Sequence, residues 1–371
     1  MAVALPEDTL YDIYSRIPIK SLARFRCVCK QWHEYINDPH LAKIHNIKEE
    51  PKPTHIAQII SSKFQPLVAV LISFLHIVME DSTAGIMQVK KDSSCKLLLK
   101  SFSRSCYCNG LIALVYHDNA YDIATTYVVI NPLTKERHQL PLVTRPYEFI
   151  IAQGLGFDHS TNTFRMVCVF LKKQLFTGVY IHTALVHVLG TDSWRQIPQV
   201  PLCHITGKAV YANGRLYWYS RTSSWDTGSH LVWFDMKTEE FGGVDLPVKQ
   251  EEGGFLSYKL IDLNGQVGFV YRNRGSNKKV VWILKHEEWT IHCVYDESKP
   301  GYCGLSVVLG CWNTAGDLLI NFGEGFPLLV YRLKSGRFHK LIGPDDEAGE
   351  DKGKAEVRMY QSSLFSIRKW H

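Results

Sequence analysis

Asn213-Gly214-Arg215-Leu216-Tyr217-Trp218 puts a two-residue turn signal directly ahead of an apolar run, the pattern of a β-hairpin. The arrangement returns at Asn264-Gly265, ahead of Val267-Gly268-Phe269, and at Ala315-Gly316, ahead of Leu318-Leu319-Ile320. Both steps are 51 residues. A second marker runs in parallel: an aromatic residue or histidine, six residues, then an aromatic. It occurs at His187/Trp194, Phe234/Phe241, Trp282/Trp289 and Tyr331/Phe338, advancing by 47, 48 and 49 residues. A turn-prone centre such as Gly190-Thr191-Asp192 or Lys334-Ser335-Gly336 lies inside each pair, so each reads as a hairpin with bulky cross-strand partners flanking its turn.

Hairpins recurring with a period near 50 are the expected signature of a β-propeller. An earlier copy, Cys108-Asn109-Gly110-Leu111-Ile112-Ala113-Leu114, leads to Ile130-Asn131-Pro132. The 326 residues from Asn46 onward hold about 6.4 periods, which predicts about six blades. The terminal run Val357 to Phe365 is expected to pair with the early strand region and close the ring, and Pro344 to Lys354 reads as a solvated loop.

The first 45 or so residues follow a different period. Pro6 suits the opening turn of a helix, with Glu7 and Asp8 at its positive end. Leu10, Ile13, Tyr14 and Ile17 then share one helical face, and Pro18 ends the helix. Ser21 is the expected N-cap of a second stripe, Leu22, Phe25, Cys29, Trp32 and Ile36, which Asp38-Pro39 closes. Helices of this size cannot bury enough surface to fold alone, so their apolar faces need a partner. Lys48 to Thr54, charged and rich in proline, reads as a connector. The expected division is residues 1–47 as a small three-helix module and 48–371 as a mainly β, propeller-like domain.

Leu5-Pro6-Glu7-Asp8-Thr9-Leu10, Arg16-Ile17-Pro18-Ile19-Lys20-Ser21-Leu22 and Phe25-Arg26-Cys27-Val28-Cys29-Lys30-Gln31-Trp32 resemble the F-box motif over about 40 residues. The remainder resembles the F-box-associated domain of the plant family of such proteins, through Cys108-Asn109-Gly110-Leu111, Ile130-Asn131-Pro132, Gly156-Phe157-Asp158 and Phe234-Asp235. The resemblance implies a substrate-recognition subunit of a Skp/cullin/F-box ubiquitin ligase. Its F-box would dock a Skp-type adaptor, and through it a cullin-RING ligase, while its β domain would bind a protein substrate that the sequence does not name. Carried over by position, Leu5, Pro6, Leu10, Ile13, Ile17, Pro18, Ile19, Leu22, Phe25 and Val28 would form or support the adaptor interface. Tyr14 stands where the family usually has an aliphatic residue. Burying six such side chains gives roughly 9 to 18 kcal/mol gross, against association costs of about 4 to 15 kcal/mol. Lys20, Arg24, Arg26 and Lys30, with no acid between them, read either as a surface for an acidic partner or as a solvated face.

The bulk numbers agree with a globular chain: 371 residues, 46% apolar, formal charge +6. The basic residues form no dense block interleaved with aromatics, so nucleic-acid binding is not expected. The longest apolar stretch, Leu67 to Met79, is too short to span a bilayer and reads as a buried strand or two. Met1 to Asp8 has no signal-peptide character, and the expected location is cytoplasm or nucleus. Ten cysteines lack zinc-site spacing, and neither a metal nor another cofactor is expected. His182 and His187 fall on opposite faces of a strand, and Asp158-His159-Ser160 reads as a turn rather than part of a triad. No catalytic residue is expected. The competing reading is a propeller enzyme or glycan-binding module with a non-functional F-box-like N-terminus, which acids and histidines converging on the central channel would favour. Exposed Trp, Tyr and Arg, for which Trp218, Arg221 and Trp225 are candidates, would favour protein recognition.

Overall fold

Proline opens the first two helices, because its fixed φ matches the first turn and its missing N–H is one that a helix start leaves unpaired anyway. The computed structural model describes residues 5–48, 55–64, 67–81, 86–99, 104–117, 124–145, 148–173, 180–201, 204–221, 230–248, 255–273, 275–302, 306–323, 327–342, 354–365 and 367. Helix α1, Glu7–Ser15, starts behind Pro6, and α2, Ile19–Phe25, behind Pro18. Helix α3, Lys30–Asn37, starts behind Cys29, whose Sγ accepts the Trp32 N–H at 3.5 Å. Helix α4 is Pro39–Lys48. Tyr14, Leu22, Ile36 and Leu41 are buried between the helices, with Trp32 edge-on to Phe25 and Tyr14.

The module thus has four helices, not three. Asp38-Pro39 does end α3, but it also starts α4: the Asp38 carboxylate accepts the His40 N–H at 2.7 Å, and Pro39 takes the first helical position. Ser21 lies inside α2, and Pro18 is the N-cap in its place. The stripe from Leu22 to Ile36 is carried by two helices, broken between Arg26 and Cys29. Most of the expected connector, 49–54, and most of the acidic loop, 343–353, lie outside the described residues.

The strands form antiparallel four-stranded groups, each running outward from the centre. The innermost strands are Arg104–Cys108, Glu148–Asp158, His204–Ala212, Phe255–Leu263, Val307–Cys311 and Lys354–Tyr360. The count differs from about six separate blades, because hydrogen bonding joins the groups into four sheets among the described residues. Parallel pairing of Gly207 and Lys208 with Ala152 and Gln153 fuses two groups into one eight-stranded sheet. Pairing of Lys340–Ile342 with Ile86–Gln88 fuses another two.

The fourth of those fused groups is built from both ends of the β region. Lys354–Tyr360 pairs antiparallel with His55–Phe64, which continues into Leu67–Asp81 and Ile86–Leu99. Leu67–Asp81 is a single 15-residue strand with Val70, Ile72, Phe74 and Leu75 buried. Successive residues of one strand feed different cores. In Leu111–His117, Leu111 and Ala113 pack toward Phe157 and Phe164, whereas Ile112 and Leu114 pack toward Val70 and Ile72. Both faces of a group are covered by its neighbours, which is why the strands read as apolar runs rather than as strict alternation.

The two-residue turns behave as their sequence predicts. Asn109-Gly110, Asn213-Gly214 and Asn264-Gly265 have positive φ at both positions. Ala315-Gly316 belongs to a longer turn, with Trp312 N–H bonded to the Asp317 carbonyl at 2.8 Å. Phe234/Phe241 and Tyr331/Phe338 are directly opposed, with ring centroids 4.9 and 5.0 Å apart. The His187 and Trp194 rings are 5.1 Å apart. Trp282 and Trp289 are only diagonal: the tight turn at His286-Glu287 sets Trp289 opposite Leu284 and Trp282 opposite Ile291.

The helical module is joined to the β domain by the segment after the last strand. Asn131 Nδ2 donates to the Ser363 and Phe365 carbonyls at 3.0 and 2.7 Å. Phe365 packs between Phe157 and Phe164, inside one apolar cluster with Tyr14, Leu22 and Leu41. Arg26 donates to the Leu364 carbonyl and lies 3.7 Å from Glu136, which in turn accepts the Ile367 N–H at 2.7 Å.

Candidate functional site

The ten residues expected at the adaptor interface separate by exposure. Leu5, Ile13 and Val28 stand 52%, 43% and 61% exposed, three large apolar side chains on one small module. Pro6 and Pro18 are exposed as well. Leu10, Ile17 and Phe25 are half-buried against the core, so each offers one edge. Ile19 and Leu22 lie inside the core and hold the helices in place. Of the four clustered bases, Arg26 is engaged with Glu136 and the Leu364 carbonyl, while Arg24 and Lys30 are exposed.

A second feature lies where the innermost strands end. The turns that follow them face the same end of the channel and enclose a cavity of about 540 Å³. Five of the six innermost strands contribute to its wall, Tyr107, Tyr211 and Asp262 among them, and the turns after them add Asn109, His159, Asn213 and Thr314. Asp262 Oδ1 accepts the Gly265 N–H at 2.7 Å, and no cation pairs with the carboxylate among the described residues. Asp262 is exposed to the water of the channel, yet the protein packed around the strand ends disfavours its charge and pushes its pKa up to about 6, against the opposing effect of that hydrogen bond. His159 Nε2 is 3.2 Å from the Tyr211 hydroxyl, which donates to the Phe157 carbonyl at 2.7 Å. Deeper in the channel a cavity of about 330 Å³ shares Tyr107, Tyr211 and Asp262 and adds Lys208, Lys259 and Tyr258. There the Tyr219 and Tyr258 rings stack at 4.2 Å, and Lys259 Nζ donates to the Val308 carbonyl at 3.0 Å.

Helical module and β domain each match a described family. The F-box associated beta propeller domain matches residues 69–339, and an F-box-like domain matches residues 2–47. This chain is a plant-type F-box protein with an associated β-propeller. It is similar to an F-box/kelch-repeat protein of Arabidopsis thaliana, 27% identical over 98% of this chain and 95% of that one. An F-box protein of the same plant is 25% identical over 92% of this chain and 86% of its own length. Among solved structures, a fucose-specific lectin from Aleuria aurantia covers 80% of this chain and 98% of its own, at 12% identity and a TM-score of 0.38. A likeness that loose says nothing about a ligand.

In this F-box protein the remaining sequence candidates are structural. Asp158 accepts from the Ser160 and Thr161 hydroxyls at 2.7 and 2.6 Å and pairs with Arg165 at 2.8 Å, so Asp158-His159-Ser160 is a braced turn. His187 is buried with Nδ1 3.0 Å from the Ser193 carbonyl, and burial lowers its pKa. The described residues contain no group of three or more His, Cys, Asp or Glu placed to hold a metal. Trp218 is core, its Nε1 donating to the Gln153 carbonyl at 3.2 Å; Trp225 and the Arg221 side chain lie outside the described residues. Reasoning from sequence passed over Asp262 altogether. The signal was there, since it sits two residues before Asn264-Gly265, but only ring closure shows that five such turns and the segment after the last strand meet.

Proposed function

We propose that this F-box protein is a non-catalytic substrate receptor of a Skp/cullin/F-box ubiquitin ligase, acting in cytoplasm or nucleus. Its helical module docks the Skp-type adaptor, and its β domain holds the protein to be modified. The observation that carries the reading is the exposure of Leu5, Ile13 and Val28 on a module that is fixed to the β domain through a shared core. Burying three such side chains yields about 4.5 to 9 kcal/mol gross, and the open edges of Leu10, Ile17 and Phe25 add to it. Ile19 and Leu22 contribute by supporting that surface.

Co-expression with a Skp-type adaptor tests this. The expected result is a complex that survives gel filtration. Ile13→Ala with Val28→Ala is expected to weaken it at least about tenfold, the equivalent of 1.4 kcal/mol. Both side chains are exposed, so the melting temperature should stay unchanged. Full-strength binding by the double variant would remove the docking assignment.

A further inference from the structure

The channel mouth is built around a carboxylate that the fold itself does not neutralise. Asp262 spends one oxygen on the Gly265 N–H and meets no Lys or Arg among the described residues. At the mouth its neighbours are polar, with His159 the one basic side chain among them; Lys208 and Lys259 line the deeper cavity that Asp262 also borders. Asn264 donates its amide to the Asn313 carbonyl at 3.0 Å, which leaves its side-chain oxygen as an acceptor at the rim. Asn109 and Asn213 sit at the rim in the left-handed conformation, and Thr314 adds a hydroxyl. Tyr107 and Tyr211 contribute aromatic walls. Carboxylate, neutral acceptors and aromatic faces are together the chemistry that receives an organic cation.

We propose that this mouth is a binding site for one ammonium or guanidinium group on a flexible stem, with Asp262 as its counter-ion. A lysine or arginine side chain of a target protein has that form, and the cavity of about 540 Å³ admits one. Asp262 is open to the channel, so a cation can reach its carboxylate without first displacing a Lys or Arg of the described residues. The lysines of the channel, Lys208 and Lys259, line the deeper cavity and not the mouth, and Lys259 is directed to the Val308 carbonyl. The site lies at the same end as the helical module. Asn131 and Glu136 flank a turn at that end, and they bind the segment on which the module rests. A basic side chain seated in the mouth would hold the target on the face that carries the F-box. The proposal deepens the reading of the β domain as the receptor part and rests on it only for the source of the cation.

The test uses the full-length chain and ligand-observed saturation-transfer NMR. The probes are N-acetyl-lysine N-methylamide, its arginine counterpart, and N-acetyl-norleucine N-methylamide as the uncharged control. The two cationic probes are expected to bind at least about tenfold tighter than the norleucine probe. Asp262→Asn is expected to bring them down to the norleucine level. Asn264→Ala, which keeps the charge and removes one acceptor, should give a smaller loss. Equal binding of all three probes, no binding by any, or cationic binding that survives Asp262→Asn overturns the proposal. Adaptor capture by the same preparations is measured alongside, so that a failed site and a failed F-box assignment give different results.

Discussion

Asp262 leaves a mark on stability that needs no ligand to detect. Its carboxyl titrates near 6 in the folded chain, above the ordinary aspartate value of 3.8. Well below pH 3.8 it is protonated in folded and unfolded chains alike and contributes nothing. As pH rises through 6 the folded state is forced to carry the charge at a disadvantage, and stability falls. Asp262→Asn is therefore expected to melt at the parent temperature at about pH 3 and above it at pH 7, and scanning calorimetry at the two pH values measures the difference. Gly110 is a residue of the opposite kind, fixed by space. Its φ is +80°, and an added Cβ would stand 2.4 Å from Ser363 Cβ. Gly110→Ala combines about 1 to 2 kcal/mol of left-handed strain with a clash against the segment after the last strand. A lower melting temperature with that segment loosened in hydrogen exchange is the expected outcome.

At the scale of elements, what the sequence conveyed depended on whether a local pattern had one meaning. Asn-Gly between apolar runs has one meaning, and Asn109, Asn213 and Asn264 all sit in the expected turn. Asp-Pro has two, helix stop and helix start, and reading only the first hid α4. Trp282 and Trp289 mark a hairpin correctly but miss direct opposition, because two residues rather than four make that turn. The candidates for the adaptor interface came as a set from the resemblance to the F-box motif, not from helical spacing. Their division into exposed Leu5, Ile13 and Val28 and buried Ile19 and Leu22 was not legible, since it depends on how the four helices pack on one another and into the shared core. The segment Ser363–Ile367 was likewise invisible as a joint, having no periodicity to announce it. Its main anchor is Asn131, which holds the Ser363 and Phe365 carbonyls. Asn131→Ala leaves two buried carbonyls without their donor at about 1 to 3 kcal/mol each. It should lower the melting temperature and speed proteolysis between the helical module and the β domain.

For the molecule as a whole, the joint makes the F-box and the propeller one mechanical body. Phe365 belongs to the same apolar cluster as Tyr14 and Leu41, so its truncation is felt on both sides. Phe365→Ala is expected to cost about 3 to 5 kcal/mol and to widen the distribution of distances between the two modules in double electron–electron resonance. A distribution that stays narrow would show that Arg26 and Glu136 suffice to hold them. Sequence periodicity supplied the ring; the order in which its parts are completed comes only from the strand pairing. His55–Phe64 has Leu67–Asp81 on one side and waits for Lys354–Tyr360 on the other. On a ribosome adding about 5 to 20 residues per second, the intervening chain takes on the order of 15 to 60 s to emerge. For that time His55–Phe64 is an open sheet edge, the kind of surface that pairs with other chains. During that interval the nascent chain offers other chains, or a chaperone, an edge that the finished ring covers.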